Sequence, residues 1–192
     1  MFGDGGSKMV KKAAAFAERA HRGAVRKGTA IPYITHPLEA AVIVASITED
    51  QELIAAALLH DVMEDAGVSR EKLKAEFGSR VADLVAAETE DKTKGWKERK
   101  SDTLEHLKSA SREEKIVVLG DKLSNVRCTA RDYFLFGEKI WDRFNEKRKE
   151  QHGWYYLGVA ERLAELKDLP PYQEYVRLCQ MVFGKMGANE SW

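Results

Sequence analysis

The chain has 192 residues, 44% of them apolar and 32% charged, a balance that fits a globular domain with a core and excludes a disordered chain. Lysine plus arginine equals aspartate plus glutamate at 31 each, so net charge argues against a general nucleic-acid binder. The longest apolar run, residues 53–59, is far too short to span a bilayer, and MFGDGGSK at the start lacks the apolar stretch of an export signal.

Helical periodicity dominates and strand signals are scarce, so the expected fold class is all-α. Ser7 is placed to cap a first helix reaching about residue 21. GAVRKGTAIPYIT, residues 23–35, reads as a loop marked by two glycines and Pro32. Pro37 suits the first turn of a second helix to about residue 47. After a short break at 48–50, a third helix is expected over 51–65, closed by Gly67. Ser69 and Ser79 are expected to cap two short helices, the first stopping at Gly78 and the second near residue 87. TEDKTKGWKERK reads as a polar loop leading into a helix through Leu107. Ser111-Arg-Glu-Glu114 is a capping box, and it opens a helix to about residue 129. Residues 130–137 read as irregular. A long charged helix, bent at Gly153, follows to about residue 166. Pro170-Pro171 breaks it, and a last helix runs to about residue 182. The expected organisation is one domain over 1–192, with its core in 8–130 and C-terminal helices in 138–183. Cys128 and Cys179 form no CxxC pattern and suit a reducing, cytoplasmic setting.

The chemistry concentrates in LLHDVMEDAG. His60, Asp61, Glu64 and Asp65 follow directly on an apolar run. On a continuous helix, His60 and Glu64 share a face, as do Asp61 and Asp65. Three carboxylates so close repel one another unless a metal ion, a basic side chain or water screens them. At a helix C-terminus the macrodipole also disfavours them, which weakens the reading of a featureless exposed helix end. Two other places offer partners. PYITHP holds His36 between two prolines, in a turn that can aim the ring. LGDKLSNVR holds Asp121 after the apolar run IVVL, where a lone carboxylate needs either a lysine or a metal. Gly120 just before it lets another element approach closely. Two imidazoles and two carboxylates would suit a borderline or hard divalent ion with positions open for water and substrate.

The ordered set of His36, the doublet His60-Asp61 and Asp121 resembles the HD metal-dependent phosphohydrolases, whose fold is a helical bundle. More narrowly, VRKG, PYITHP, AALLHDVMED, FG, DKT and DKLSNVR in that order resemble the hydrolase domain of RelA/SpoT-type alarmone enzymes. With no room for a synthetase or regulatory domain, the chain is most similar to the small stand-alone alarmone hydrolases of metazoa. The resemblance implies a divalent metal, usually manganese, on His36, His60, Asp61 and Asp121. It implies that Glu64 and Asp65 orient or activate the attacking water. It assigns Arg26 and Lys27 to the nucleotide, Lys92 and Lys97 to phosphate, and Asn125 to the ribose and phosphate. The reaction implied is removal of pyrophosphate from the 3′ position of guanosine tetra- or pentaphosphate, giving GDP or GTP. Two positions depart from the family's habit: Ala66 stands where a threonine commonly follows the acid pair, and Ser124 where a bulky residue often precedes the asparagine.

Three other functions remain open at this level. One keeps the chemistry on another nucleotide phosphate, such as the 2′-phosphate of NADPH or a nucleoside monophosphate. One is a nucleotide-binding regulator without catalysis. One is a helical docking module with no metal dependence. The expected partner is a small nucleotide, with neither nucleic acid nor membrane involved, and a homo-oligomer is left open. His21 reads as a helix-end residue, and His106 and His152 as surface residues.

Overall fold

The computed structural model describes residues 4–184, with side chains described from Lys8 onward. The described residues form ten α-helices and no sheet: α1 (Asp4–Ala20), α2 (Thr35–Ala45), α3 (Gln51–Leu59), α4 (Val62–Ala66), α5 (Arg70–Phe77), α6 (Ser79–Glu88), α7 (Trp96–His106), α8 (Arg112–Phe136), α9 (Lys149–Arg162) and α10 (Pro170–Phe183). Tight 3-10 turns occupy Gly137–Arg143 and Ala164–Leu166. The all-α expectation holds.

α3 is the centre of the bundle. Every residue from Leu53 to Leu59 is buried, and so apolar a helix can exist only with neighbours on all sides. α1, α2, α6 and α8 supply them. Asp50 caps α3 by accepting from the Glu52 and Leu53 N–H groups at 2.9 and 3.4 Å. Arg80 of α6 then clamps that end, donating to Asp50, Glu52 and Glu113, each at 2.7 Å at its nearest. α8 lies against α2 with Gly120 at the contact. A Cβ there would meet Val44 Cγ2 at 2.8 Å and the Ala40 carbonyl oxygen at 2.9 Å, so only glycine permits this approach. α10 packs on α8 and α9 and completes the far side of the bundle.

The caps at Ser69 and the Ser111–Glu114 box form as expected, and Gly67 and Gly78 terminate their helices with positive φ. Five boundary expectations are corrected. The third helix breaks after Leu59. The Ala57 carbonyl, which would accept from the Asp61 N–H in an unbroken helix, accepts instead from His60 Nδ1 at 2.7 Å. Glu64 and Asp65 therefore stand in the first turn of α4, not at the end of a long helix, and the unfavourable-dipole argument does not apply to them. Ser79 does not cap α6; Gly78 occupies that place. Residues 130–136 are helical, because Asp132 is buried and neutralised by Arg131 and by Arg143 at 2.5 Å, while Ala130 packs on Ile140, Trp141 and Val182. The expected long charged helix is a 3-10 turn, a loop and α9, and Gly153 lies inside α9. α1 starts upstream of Ser7, whose side chain lies outside the described residues. His152 and His21 are also buried. His152 stacks on Trp141 with ring centroids 5.0 Å apart, and His21 packs beside Tyr33.

Candidate metal centre

Three segments deliver the cluster. The loop before α2 aims His36 inward from the first turn of that helix. The break after α3 turns His60 and Asp61 into the same space. α8 carries Asp121 one residue past the glycine contact with α2. His36 Nε2 stands 3.1 Å from Asp121 Oδ1 and 3.5 Å from Asp61 Oδ2. His60 Nε2 stands 2.9 Å from Asp61 Oδ2, 3.6 Å from Asp121 Oδ1 and 3.1 Å from His36 Nε2. Donor atoms about 2.0–2.2 Å from one ion are about 3 Å apart when they subtend a right angle there. Three of the observed spacings, 2.9, 3.1 and 3.1 Å, match that edge, and the other two, 3.5 and 3.6 Å, are wider. His36, His60 and Asp121 are all buried and offer donor atoms mutually within 4.8 Å; Asp61 is tied to them through the two imidazoles.

The outer hydrogen bonds fix which nitrogen faces inward. His60 Nδ1 must donate to the Ala57 carbonyl, leaving Nε2 toward the carboxylates. His36 Nδ1 is 2.8 Å from Ser124 Oγ, and Ser124 donates to Glu39 Oε2 at 2.8 Å. Asp121 Oδ1 accepts from Asn125 Nδ2 at 2.6 Å, while Lys122 pairs with its other oxygen. Tyr33 donates to Asp61 Oδ2 at 2.6 Å. A lysine and an imidazole pair thus share Asp121, where the sequence left a lysine or a metal as alternatives.

Titration behaviour follows from the packing. Burial pushes the His36 pKa down, only partly offset by Asp121, so its imidazole is neutral. Burial also opposes charge on His60, but Asp61, Asp121 and the Ala57 carbonyl outweigh it and carry it up to about 10. Asp121 is held well below the carboxylate range: Lys122, His36 and His60 overcome its burial. In the ion-free protein His60 therefore carries the proton whose place a divalent cation would take. Two neutral imidazole nitrogens and the carboxylate oxygens of Asp61 and Asp121 fit such an ion, with the outer nitrogen of each imidazole and the second oxygen of Asp121 engaged elsewhere.

Glu64 lies beside the cluster, and desolvation, reinforced by Glu90, raises its pKa. Its Oε2 accepts from the Glu90 N–H at 3.3 Å. Asp65 pairs with Lys92 at 2.7 Å, and Lys92 also reaches to 3.7 Å of Glu64. Arg26 donates to Asn125 Oδ1 at 2.9 Å, which links it to Asp121. Lys27 bonds Asn145 at 2.9 Å on the loop before α9. Lys97 is not brought to the cluster: it bonds Gln151 at 2.9 Å and stands 3.2 Å over the Trp154 ring. A cleft of about 360 Å³ opens beside His36, lined by Arg26, Glu39, Ser124, Arg127 and Arg131 among others. Sequence reasoning did not find Tyr33 or Glu39. Their only signals were spacing: Tyr33 lies three residues before His36, and Glu39 three after it.

Comparison with known proteins places the chain as a whole, by similarity of sequence and fold. A family described as "HD domain" matches residues 13–135. The guanosine-3′,5′-bis(diphosphate) 3′-pyrophosphohydrolase MESH1 of Danio rerio is 42% identical over 117 residues, 58% of this chain and 64% of that relative. The guanosine-3′,5′-bis(diphosphate) 3′-pyrophosphohydrolase of Aquifex aeolicus is 35% identical over 160 residues, which is 80% of this chain and 21% of the relative. The chain thus spans less than two thirds of either. Among solved structures, a metazoan orthologue of SpoT, described as hydrolysing ppGpp, superposes with a TM-score of 0.77 at 26% identity, covering 93% of this chain and 96% of that one. No described helix is long and apolar enough to cross a membrane.

Proposed function

This chain belongs to the HD-domain family, and from that premise we propose that it is a metal-dependent hydrolase removing pyrophosphate from the 3′ position of guanosine 3′,5′-bis(diphosphate). The observation that carries the reading is the convergence of His36, His60 and Asp121, whose donor atoms lie mutually within 4.8 Å, with Asp61 Oδ2 2.9 Å from His60 Nε2 and the outer nitrogen of each imidazole engaged away from the cluster. The relatives named for this activity support the substrate.

The resident ion in this reading is manganese, the ion the family resemblance implies, while the mixed nitrogen and oxygen set itself suits a borderline or hard divalent ion. When bound, it supplies a water of lowered pKa and draws charge from the phosphoryl oxygens. Glu64, with its raised pKa, takes the water proton on a carboxylate oxygen. Asp65 orients the same water while Lys92 limits repulsion between the two acids. The water oxygen bonds to the phosphorus attached to the 3′ oxygen. The bond between that phosphorus and O3′ breaks, the ribose keeps O3′ and gains a proton, and pyrophosphate leaves. Arg26 and Lys27 hold the nucleotide, with Asn125 stationed between Arg26 and Asp121. The test is to incubate metal-stripped protein with guanosine tetraphosphate, with and without manganese, and to separate the products. GDP with pyrophosphate, abolished by chelator, is the expected result. Release of orthophosphate, or turnover indifferent to chelator, refutes the proposal.

A further inference from the structure

His36 is reached from outside the cluster by a chain of hydrogen bonds whose directions can be assigned. A carboxylate only accepts, so the Ser124 hydroxyl proton points at Glu39 Oε2, 2.8 Å away. The serine oxygen then has only lone pairs for His36 Nδ1, also at 2.8 Å, and Nδ1 must be the donor. Glu39 is itself anchored. Its Oε1 accepts from Arg127 at 3.1 Å, and Arg127 forks onto both oxygens of Glu174 at 2.6 and 2.7 Å. Ser124 is buried to 1% exposure, so water does not compete for its hydroxyl.

We propose that Ser124 and Glu39 are positioning residues for the metal centre: a serine-mediated carboxylate relay that locks His36 in its Nδ1–H form and presents the Nε2 lone pair to the ion. Through Arg127 and Glu174 the relay ties the metal-facing ring on α2 to α8 and α10. The inference rests on the metal-centre reading above, though not on the identity of the substrate. Its chemistry follows from the acceptor order. A negative charge one hydroxyl removed makes the imidazole a better donor to the ion, as a directly bonded carboxylate does. The small side chain at position 124 is what permits it, because a bulky residue there would stand between His36 and Glu39.

The experiment uses metal-stripped full chain, manganese alone as the titrant, and ring ¹⁵N resonances as a second readout. In wild-type protein the His36 ring shows the Nδ1–H pattern and manganese binds. Ser124→Ala is expected to weaken manganese binding about 10- to 100-fold and to turn the His36 ring pattern into a tautomer mixture, while His60 keeps its own. Glu39→Ala removes the terminal charge from a partly exposed position, so it reports even if Ser124→Ala does not fold; it is expected to weaken binding in the same range. Unchanged affinity together with an unchanged His36 pattern in a folded variant overturns the relay and leaves the metal centre standing. Failure of the wild type to bind manganese overturns both. Pyrophosphate release is scored separately, so a wrong substrate does not disturb either result.

Discussion

Replacing Gly120 by alanine sets two effects of opposite sign against each other. In a helix interior alanine is favoured over glycine by about 1 kcal/mol. Here the added carbon would sit 2.9 Å from the Ala40 carbonyl oxygen and 2.8 Å from Val44 Cγ2. Ordinary carbon–oxygen contacts are about 3.3–3.6 Å, so α8 must retreat from α2 by about half an ångström. The oxygen is backbone and cannot swing aside. Overpacking of this kind costs about 1–3 kcal/mol. The net loss is about 1 kcal/mol, which in a chain of this size lowers Tm by about 2–4 °C. The retreat also draws Asp121 away from His36, now 3.1 Å apart, so manganese should stabilise the variant less than the wild type. Gly153→Ala in α9 is the matched control: its nearest neighbour is Phe183 Cβ at 3.4 Å, ordinary contact, and the propensity gain should survive. Thermal melts in chelator, repeated with manganese, read both effects. Gly120→Ala melting at or above the wild type, with an undiminished manganese shift, would refute the argument.

Three more outcomes are expected. Glu64→Gln should lower turnover by about 10²- to 10⁴-fold while manganese affinity, measured by calorimetry, stays near that of the wild type; retained turnover would remove Glu64 from proton transfer. Hydrogen bonds from Arg80, opposed by partial burial and aided by the Glu52 and Leu53 N–H groups, hold the Asp50 pKa below its usual value. Its contribution to stability is therefore complete above the unfolded pKa of about 4 and is lost as pH falls through the lower, folded value. Arg80→Gln should reduce stability at neutral pH and flatten the fall in urea midpoint below about pH 4; an equally steep fall would mean that other carboxylates govern it. Burial pushes the Cys179 thiol up to about 12, whereas Cys128 is half-buried, so one thiol should react with a disulfide reagent at pH 8 before unfolding and two afterward. Two fast-reacting thiols in the native state would contradict the packing around Cys179.

What the sequence disclosed and what it concealed divide along the range of the interactions. Ser69 and the Ser111–Glu114 box are legible because cap and capped N–H lie within three residues, and those helices start where the sequence says. The grouping of His36, His60 and Asp121 is legible because the candidate chemistry calls for particular side chains, and because Asp121 in an apolar helix has no inexpensive alternative to a partner. Residues 130–136 are not legible. Their helix depends on Asp132 meeting Arg143 eleven residues later, and without that partner Arg131-Asp132 reads as a solvated end. The break after α3 was hidden for a different reason. His60 takes the Ala57 carbonyl through its ring, so the side chain proposed as a ligand also ends the helix that carries it. That one bond does two things. It frees the backbone to turn Asp61 toward His36, and it commits His60 Nδ1 to the backbone so that Nε2 faces the carboxylates. An unbroken helix would keep the Ala57 carbonyl for the backbone, and its regular geometry would return Asp61 to the direction the helical period assigns. The same logic holds at Ser124, which looked only like a smaller residue where bulk is common. It becomes informative once Glu39, 85 positions earlier in the chain, is seen on the other side of its hydroxyl. Local order in this bundle is written in caps. The chemistry is written in which distant acceptor claims each buried proton.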